Sequence, residues 1–145
     1  MIIGVPKEIK PQENRIGLTP DSVKTLVSEG HKVLIENNGG FEAGFDNEQY
    51  TNVGAKIVNK ASDIFNDAEI IVKVKEPHKV EVDMIKENQI IYTYLHLAAA
   101  KELTEGLIKS KSINIAYETV TDDNGRLPLL APMSCLLYTS PSPRD

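Results

Sequence analysis

The sequence has 145 residues, of which 41% are hydrophobic and 26% charged, and a net charge of -5. This length and composition are typical of a single globular domain. The negative charge argues against sequence-independent nucleic-acid binding, which needs clustered Lys and Arg. No apolar run approaches the ~20 residues that span a bilayer, and no signal peptide pattern follows Met1, so the sequence predicts a cytoplasmic protein. A single cysteine excludes an internal disulfide and a cysteine-rich zinc cluster.

Short β-branched segments alternate with amphipathic segments along most of the chain. The β-branched segments read MIIGVP, HKVLIE, EIIVKV, QIIYTYL and INIAYETV. Apolar residues three and four positions apart in the intervening stretches indicate helices. This alternation predicts an α/β fold with a parallel, doubly wound, Rossmann-like sheet and helices on both of its faces.

Local signals predict where several helices begin and end. Thr19 is a suitable N-cap with Pro20 at the first helical position, and Gly30 is expected to end that helix. Asp46 and Gln49 have the spacing of a capping box. Further helices are expected after Lys60, Lys79 and Ala100.

Three polar side chains follow predicted strands. Arg15 lies in the loop after MIIGVP, Lys75 follows EIIVKV, and His96 follows QIIYTYL. Ligands of open parallel sheets bind at the carboxyl ends of the strands. Arg can bind a carboxylate with two parallel hydrogen bonds, Lys can place a positive charge near an oxygen, and His can exchange protons near neutral pH. The three residues are therefore candidates for one site.

Each candidate also has an ordinary structural explanation. Arg15 lies in a charged loop and could be a solvated side chain. Lys75 is followed by Glu76, and Lys73 lies on the same predicted strand face, so Lys75 could be a surface charge. His96 lies between two leucines and could be a core histidine with satisfied hydrogen bonds.

Common nucleotide-binding and hydrolytic motifs are missing from this sequence. It contains no G-x-G-x-x-G, no Walker A lysine motif, no G-x-S-x-G and no H-E-x-x-H. The glycine-rich stretch NNGGFEAGF lacks dinucleotide-binding spacing and is interpreted as a turn. No dinucleotide or metal site is predicted from these residues.

Four separated motifs resemble the N-terminal part of the alanine dehydrogenase family. They are GVPKEIKPQENRIGLTP, VKVKEP, YTYLHLAAAKEL, and AYETV followed by LPLLAPMS, and together they extend from Met1 to Ser134. The related transhydrogenase α-subunits share the opening layout but lack the histidine of YLHLA. A transhydrogenase-like interaction subunit, paired with a separate NAD-binding chain, is therefore the alternative.

The resemblance implies a domain organisation and a reaction. Residues 1–134 would be a substrate-binding domain, followed in the family by a Rossmann domain that binds NAD. The family interconverts L-alanine, water and NAD⁺ with pyruvate, ammonium and NADH, as a homo-oligomer. A C-terminal segment of the family packs back onto the substrate domain, which implies an apolar face here that such a segment would cover.

The resemblance also assigns roles to five residues. Arg15 and Lys75 match substrate-binding positions, and His96 matches the catalytic acid and base. Met133 matches a further substrate-binding position. Ser134 matches a contact to the NAD cofactor.

The last segment, CLLYTSPSPRD, departs from the family pattern, which continues with EVAG after PMS. Residues 135–145 can be encoded by a nucleotide string that resembles a transposase sequencing adapter, so they are interpreted as an artefactual or disordered tail. With the NAD-binding domain missing from the sequence, the polypeptide alone is expected to have no dehydrogenase activity. A module that binds small oxo acids without turnover is a further alternative.

Overall fold

The computed structural model describes residues 1–10, 13–95 and 101–126. These residues form an α/β fold around a six-stranded sheet with the order β3-β2-β1-β4-β5-β6, and every neighbouring pair is parallel. The strands are β1 (Ile2–Val5), β2 (Lys32–Glu36), β3 (Lys56–Val58), β4 (Ile70–Val72), β5 (Ile90–Thr93) and β6 (Ile113–Ala116). The α-helices are α1 (Pro20–Ser28), α2 (Asn47–Asn52), α3 (Ala61–Asp67), α4 (Lys79–Val82) and α5 (Lys101–Ser110). The predicted parallel, doubly wound sheet is confirmed.

The sequence patterns did not reveal one strand and predicted too many residues for β4, β5 and β6. Strand β3 has only 3 residues and lies at the sheet edge, so its two β-branched residues, Ile57 and Val58, are too few to form a recognisable run. Strand β4 ends at Val72. Lys73 and Val74, which were included in the predicted strand, therefore belong to the loop that leaves the sheet.

The predicted helix caps are present. The Thr19 hydroxyl accepts a hydrogen bond from the Ser22 amide at 3.3 Å. The Asp46 carboxylate accepts from the Gln49 amide, and the Gln49 side chain accepts from the Asp46 amide, both at 2.9 Å. Helix α3 begins at Ala61, as predicted, and α4 begins at Lys79, one residue earlier than predicted. Helix α5 is described from Lys101 onward. In the part of the chain that the structure describes, every helix is too short or too polar to cross a membrane.

Apolar clusters fill both faces of the sheet. One cluster packs beneath α1 and α2 and includes Val5, Val23 and Tyr50. The other packs beneath α3 to α5 and includes Ile64. Gly4 in β1 allows α3 to approach closely, because a Cβ there would lie 2.5 Å from Cγ2 of Ile64.

The sheet face that α1 and α2 cover is exposed at strand β6. Ile113 and Ile115 of β6 lie on the face that α1 and α2 cover elsewhere, and they are 50% and 39% exposed. The expectation that a C-terminal segment of a longer chain covers an apolar face is compatible with this exposure and stays a prediction.

A carboxylate at the end of β2 binds the backbone of the loop that follows β1. The Lys7 amide donates to the Glu36 carboxylate at 2.9 Å. Burial of Glu36 raises the pKa of its carboxyl group. The first loop after β1 is thus anchored to the neighbouring strand.

We expect Gly4→Ala to destabilise the protein by about 1–3 kcal/mol, the usual cost of overpacking a core. The added methyl would meet Ile64 and the Cβ of Ala68, at 2.8 Å, so α3 must move. Urea denaturation measures the change, with Lys24→Ala on the exposed face of α1 as a control. Equal stability of Gly4→Ala and the unmodified protein would show that α3 shifts without cost.

We expect Glu36→Gln to stabilise the protein near neutral pH. The raised pKa of Glu36 means that its stabilising contribution is fully present below its ordinary value of 4.5 and is lost as the pH rises through the folded-state value. Glutamine cannot ionise and still accepts from the Lys7 amide. Thermal unfolding across the pH range should show a higher midpoint for Glu36→Gln at about pH 7 and convergence in acid. Glu29→Gln, an exposed carboxylate, controls for net charge; the same gain there would contradict the explanation.

Candidate functional site

The strand order creates a crevice between β1 and β4. The chain leaves β1 toward β2 and later returns to place β4 on the other side of β1. Connections on the two sides of such a switch point run in opposite directions, which leaves space at the carboxyl ends of the two strands. The loops that follow β1 and β4 line this crevice.

Packing on both sides fixes the loop that carries Arg15. The next residue, Ile16, is buried in the core. Gly17 lies against β4 so closely that a Cβ would be 2.6 Å from the carbonyl oxygen of the last β4 residue. The carbonyl of Leu18 accepts a 2.8 Å hydrogen bond from the Tyr50 hydroxyl. Arg15 is therefore held beside the exit of β4.

Arg15 and Lys75 both act on the carboxylate of Glu13. The Arg15 Nε and Nη2 atoms donate to the two Glu13 oxygens at 2.8 and 2.9 Å. The Arg15 guanidinium lowers the pKa of Glu13, and the charge of Lys75 lowers it further. Arg15 is therefore bound to Glu13, and Lys75 lies near enough for its charge to act on the same carboxylate.

Lys73, at the carboxyl end of β4, is buried. Its side chain is 1% exposed, and its Nζ lies 3.2 Å from Oε1 of Glu8 and 3.1 Å from Oε2 of Glu81. The carboxylates come from the loop after β1 and from α4. We call these three residues the Lys73 triad. Sequence reasoning missed it, although an acidic residue three positions after a buried strand and a lysine between two valines are possible signals.

The Lys73 triad also holds the backbone around Lys75. Oε2 of Glu8 accepts from the Val74 amide at 3.0 Å, and Oε1 accepts from the Lys75 amide at 3.1 Å. The Lys75 carbonyl accepts from the Thr93 hydroxyl of β5 at 3.0 Å. Lys75 is therefore attached to the loops or ends of β1, β4 and β5.

Tyrosines line the edge next to Arg15. The Tyr117 ring packs edge-on against Tyr92 and Tyr94, with centroid distances of 4.4 and 4.9 Å. Burial raises the pKa of both Tyr94 and Tyr117. Their hydroxyl groups are therefore protonated at neutral pH and can donate hydrogen bonds. These tyrosines were not identified from the sequence.

A cavity of about 200 Å³ lies between the loops that follow β1 and β2 and is large enough for a small organic acid. It is lined by Lys7, Glu8, Lys10, Glu13, Asn14, Arg15, Gly39 and Glu42. A larger groove of about 1070 Å³ between α4 and α5 shares none of these residues. Because the smaller cavity adjoins Arg15 and Glu8, it is the better candidate for a binding site.

The remaining predicted site residues, His96, Met133 and Ser134, lie outside the described residues, as does the tail 135–145. Their assigned roles stay predictions.

The described residues do not form a cradle for the phosphates of NAD. The first turn of α1 is capped by its own Thr19, and Gly17 in the preceding loop packs against β4. Both features differ from a glycine-rich turn whose amides face a pyrophosphate. The described part of the chain also contains no cluster of three or more His, Cys, Asp or Glu side chains that could hold a metal ion.

Sequence comparison relates nearly the whole chain to one family. Residues 4–137 match the family model for the alanine dehydrogenase/PNT N-terminal domain. Alanine dehydrogenases of Methanococcus maripaludis and Staphylococcus epidermidis are each 50% identical over 134 residues, or 92% of this chain. The chain spans 36% of the length of these relatives.

Comparison with solved structures gives the same relationship. An L-alanine dehydrogenase is 53% identical, with a TM-score of 0.90 over 94% of this chain and 37% of its own length. The transhydrogenase of Sinorhizobium meliloti is 23% identical, with a TM-score of 0.79 over 86% of this chain and 35% of its own length, and shares the fold. From the family match, the sequence identity and the common sheet, the chain belongs to the alanine dehydrogenase and transhydrogenase family as an N-terminal domain.

Proposed function

We propose that residues 1–134 are the substrate-binding domain of an NAD-dependent L-alanine dehydrogenase. The complete reaction converts L-alanine, water and NAD⁺ into pyruvate, ammonium and NADH. The observation that carries the proposal is that Arg15, oriented by Glu13, lines a small cavity together with Glu8, which binds the backbone amide of Lys75. A guanidinium that lines a small cavity is suited to bind a small carboxylate ligand.

Arg15 binds the carboxylate of pyruvate or alanine in this proposal. Its guanidinium is planar and permanently charged, and Glu13 holds it through two hydrogen bonds. Because an oriented guanidinium loses less rotational freedom when it binds a ligand, this pairing favours binding. Met133 contributes a further contact to the substrate.

Lys75 stabilises negative charge on the ketone oxygen. Among the described residues, its ammonium has no hydrogen-bond or ion-pair partner, while its backbone is fixed at both the amide and the carbonyl. When ammonia attacks the carbonyl carbon, the π electron pair moves to oxygen, where a positioned cation lowers the energy of the transition state. His96 transfers the protons that convert this adduct into the carbinolamine and then release water.

NAD would be held mainly by residues other than those described, with Ser134 as a contact from this domain. The chain contains no G-x-G-x-x-G, and the described residues of its first βα loop do not fit a pyrophosphate. We therefore propose that the 145-residue polypeptide binds the substrate but does not turn it over. Residues 135–145 are not part of the proposed domain.

Two alternative functions can be distinguished from the proposed one by experiment. A binding module for small oxo acids would bind pyruvate but would remain inactive when joined to a functional NAD-binding domain. A transhydrogenase-like subunit would need a separate NAD-binding chain; an adjacent reading frame that begins with a G-x-G-x-x-G unit would favour it.

We expect Arg15→Lys to weaken pyruvate binding by about 10- to 100-fold, since hydrogen bonds to charged groups contribute ~1.5–3 kcal/mol. Lysine keeps the charge but loses the planar fork. Titration of the chain with pyruvate, followed by NMR or calorimetry, measures the effect. Arg126→Lys, the same change in an exposed turn, should leave the affinity unchanged. Equal affinity of Arg15→Lys and the unmodified chain would exclude Arg15 from the site.

We expect His96→Ala to lower kcat by roughly 10²–10⁴-fold, the usual contribution of a positioned acid and base. The test uses a chimera in which residues 1–134 replace the matching part of the Methanococcus maripaludis enzyme, which is 50% identical there. His78→Ala, in the loop after β4, is the control. An inactive chimera that still binds pyruvate would favour the binding module. Loss of stability with normal turnover in His96→Ala would identify a core histidine instead.

A further inference from the structure

We propose that Glu8 is a positioning residue that holds Lys75 in place for the substrate, using the negative charge of a buried carboxylate. This inference rests on the proposed function of Lys75. Glu8 follows β1 and Lys75 follows β4, so the contact crosses the switch point of the sheet.

Three donors converge on the Glu8 carboxylate. Oε1 accepts from the Lys73 ammonium at 3.2 Å and from the Lys75 amide at 3.1 Å, while Oε2 accepts from the Val74 amide at 3.0 Å. The Glu8 side chain is 1% exposed, so water does not replace these bonds readily. The carboxylate therefore determines the path of the backbone into Lys75.

An amide cannot replace this carboxylate without conflict. Both Glu8 oxygens face N–H groups, and a carboxylate has only acceptors to offer. Glutamine would present one oxygen and one NH₂ group, so one backbone N–H would face another donor. The Val74–Lys75 backbone would then have to move, and Lys75 with it.

Glu81 provides a matched control within the same triad. Its Oε2 contacts Lys73 at 3.1 Å and its Oε1 accepts from the His78 amide at 3.0 Å. No hydrogen bond joins it to Val74 or Lys75 within the described residues. The triad has one cation and two carboxylates, so Glu8→Gln and Glu81→Gln each leave Lys73 with one carboxylate.

The experiment compares the unmodified chain, Glu8→Gln and Glu81→Gln by NMR and by titration with pyruvate. The amide signals of Val74 and Lys75, recorded without pyruvate, report the carboxylate hydrogen bonds directly. In Glu8→Gln we expect these two signals to move and pyruvate affinity to fall by about 10- to 100-fold, since a displacement near 1 Å can cost 10²-fold. In Glu81→Gln we expect the His78 signal to move while pyruvate affinity stays close to that of the unmodified chain.

Several results would overturn the proposal. Unchanged Val74 and Lys75 signals in Glu8→Gln would show that Glu8 does not hold this backbone. Moved signals with normal pyruvate affinity would show that the position of Lys75 does not matter for the substrate. An equal loss of affinity in both variants would indicate only a general need for the intact triad.

The experiment still tests the proposal in two further situations. If Glu8→Gln does not fold, Glu8→Asp replaces it, because aspartate keeps the charge near Lys73 but is one methylene too short to reach both amides. If the unmodified chain binds no pyruvate, the proposed function fails, and the amide signals alone decide whether Glu8 holds Lys75.

Discussion

The buried ammonium of Lys73, held between Glu8 and Glu81, connects the parts of the fold on which the candidate site depends. Removing three charged groups from water costs several kcal/mol per ion, and the attraction between them offsets this cost only when the geometry is good. The triad is therefore not expected to add much to the free energy of unfolding. Its effect is to fix position: it joins the loop after β1, the loop after β4 and helix α4.

Carboxylates organise both cations of the site, but in different ways. Glu13 bonds directly to the guanidinium of Arg15 and so orients the side chain itself. Glu8 bonds to the backbone of Lys75 rather than to its side chain. Glu8 thus fixes the position of Lys75 without neutralising the positive charge of its ammonium group. This difference suits a site that must hold one end of a small acid and polarise the other.

The sheet is covered unequally, and the candidate site lies near the boundary between its covered and open parts. Helices α1 and α2 cover β1 to β3, whereas Ile113 and Ile115 of β6 are exposed on the same face. The packed rings of Tyr94 and Tyr117 lie near the carboxyl end of this open region. A segment that covers β6 would further restrict access of water to this edge, so coverage of the sheet and the properties of the site are physically linked.

The sequence alone determined the features that depend on neighbouring residues. Helix α2 begins after Asp46 because its capping box lies within four residues. The loops that carry Arg15 and Lys75 follow β1 and β4, as the order of strands in the sequence predicts. The role of His96 came from family resemblance and stays a prediction. Strand β3 was missed because 3 residues at an edge carry no periodic signal. Only the tertiary structure decided that Lys73 is buried, because its partner Glu8 is 65 residues away, and the environment of a charge depends on contacts that local sequence patterns do not record.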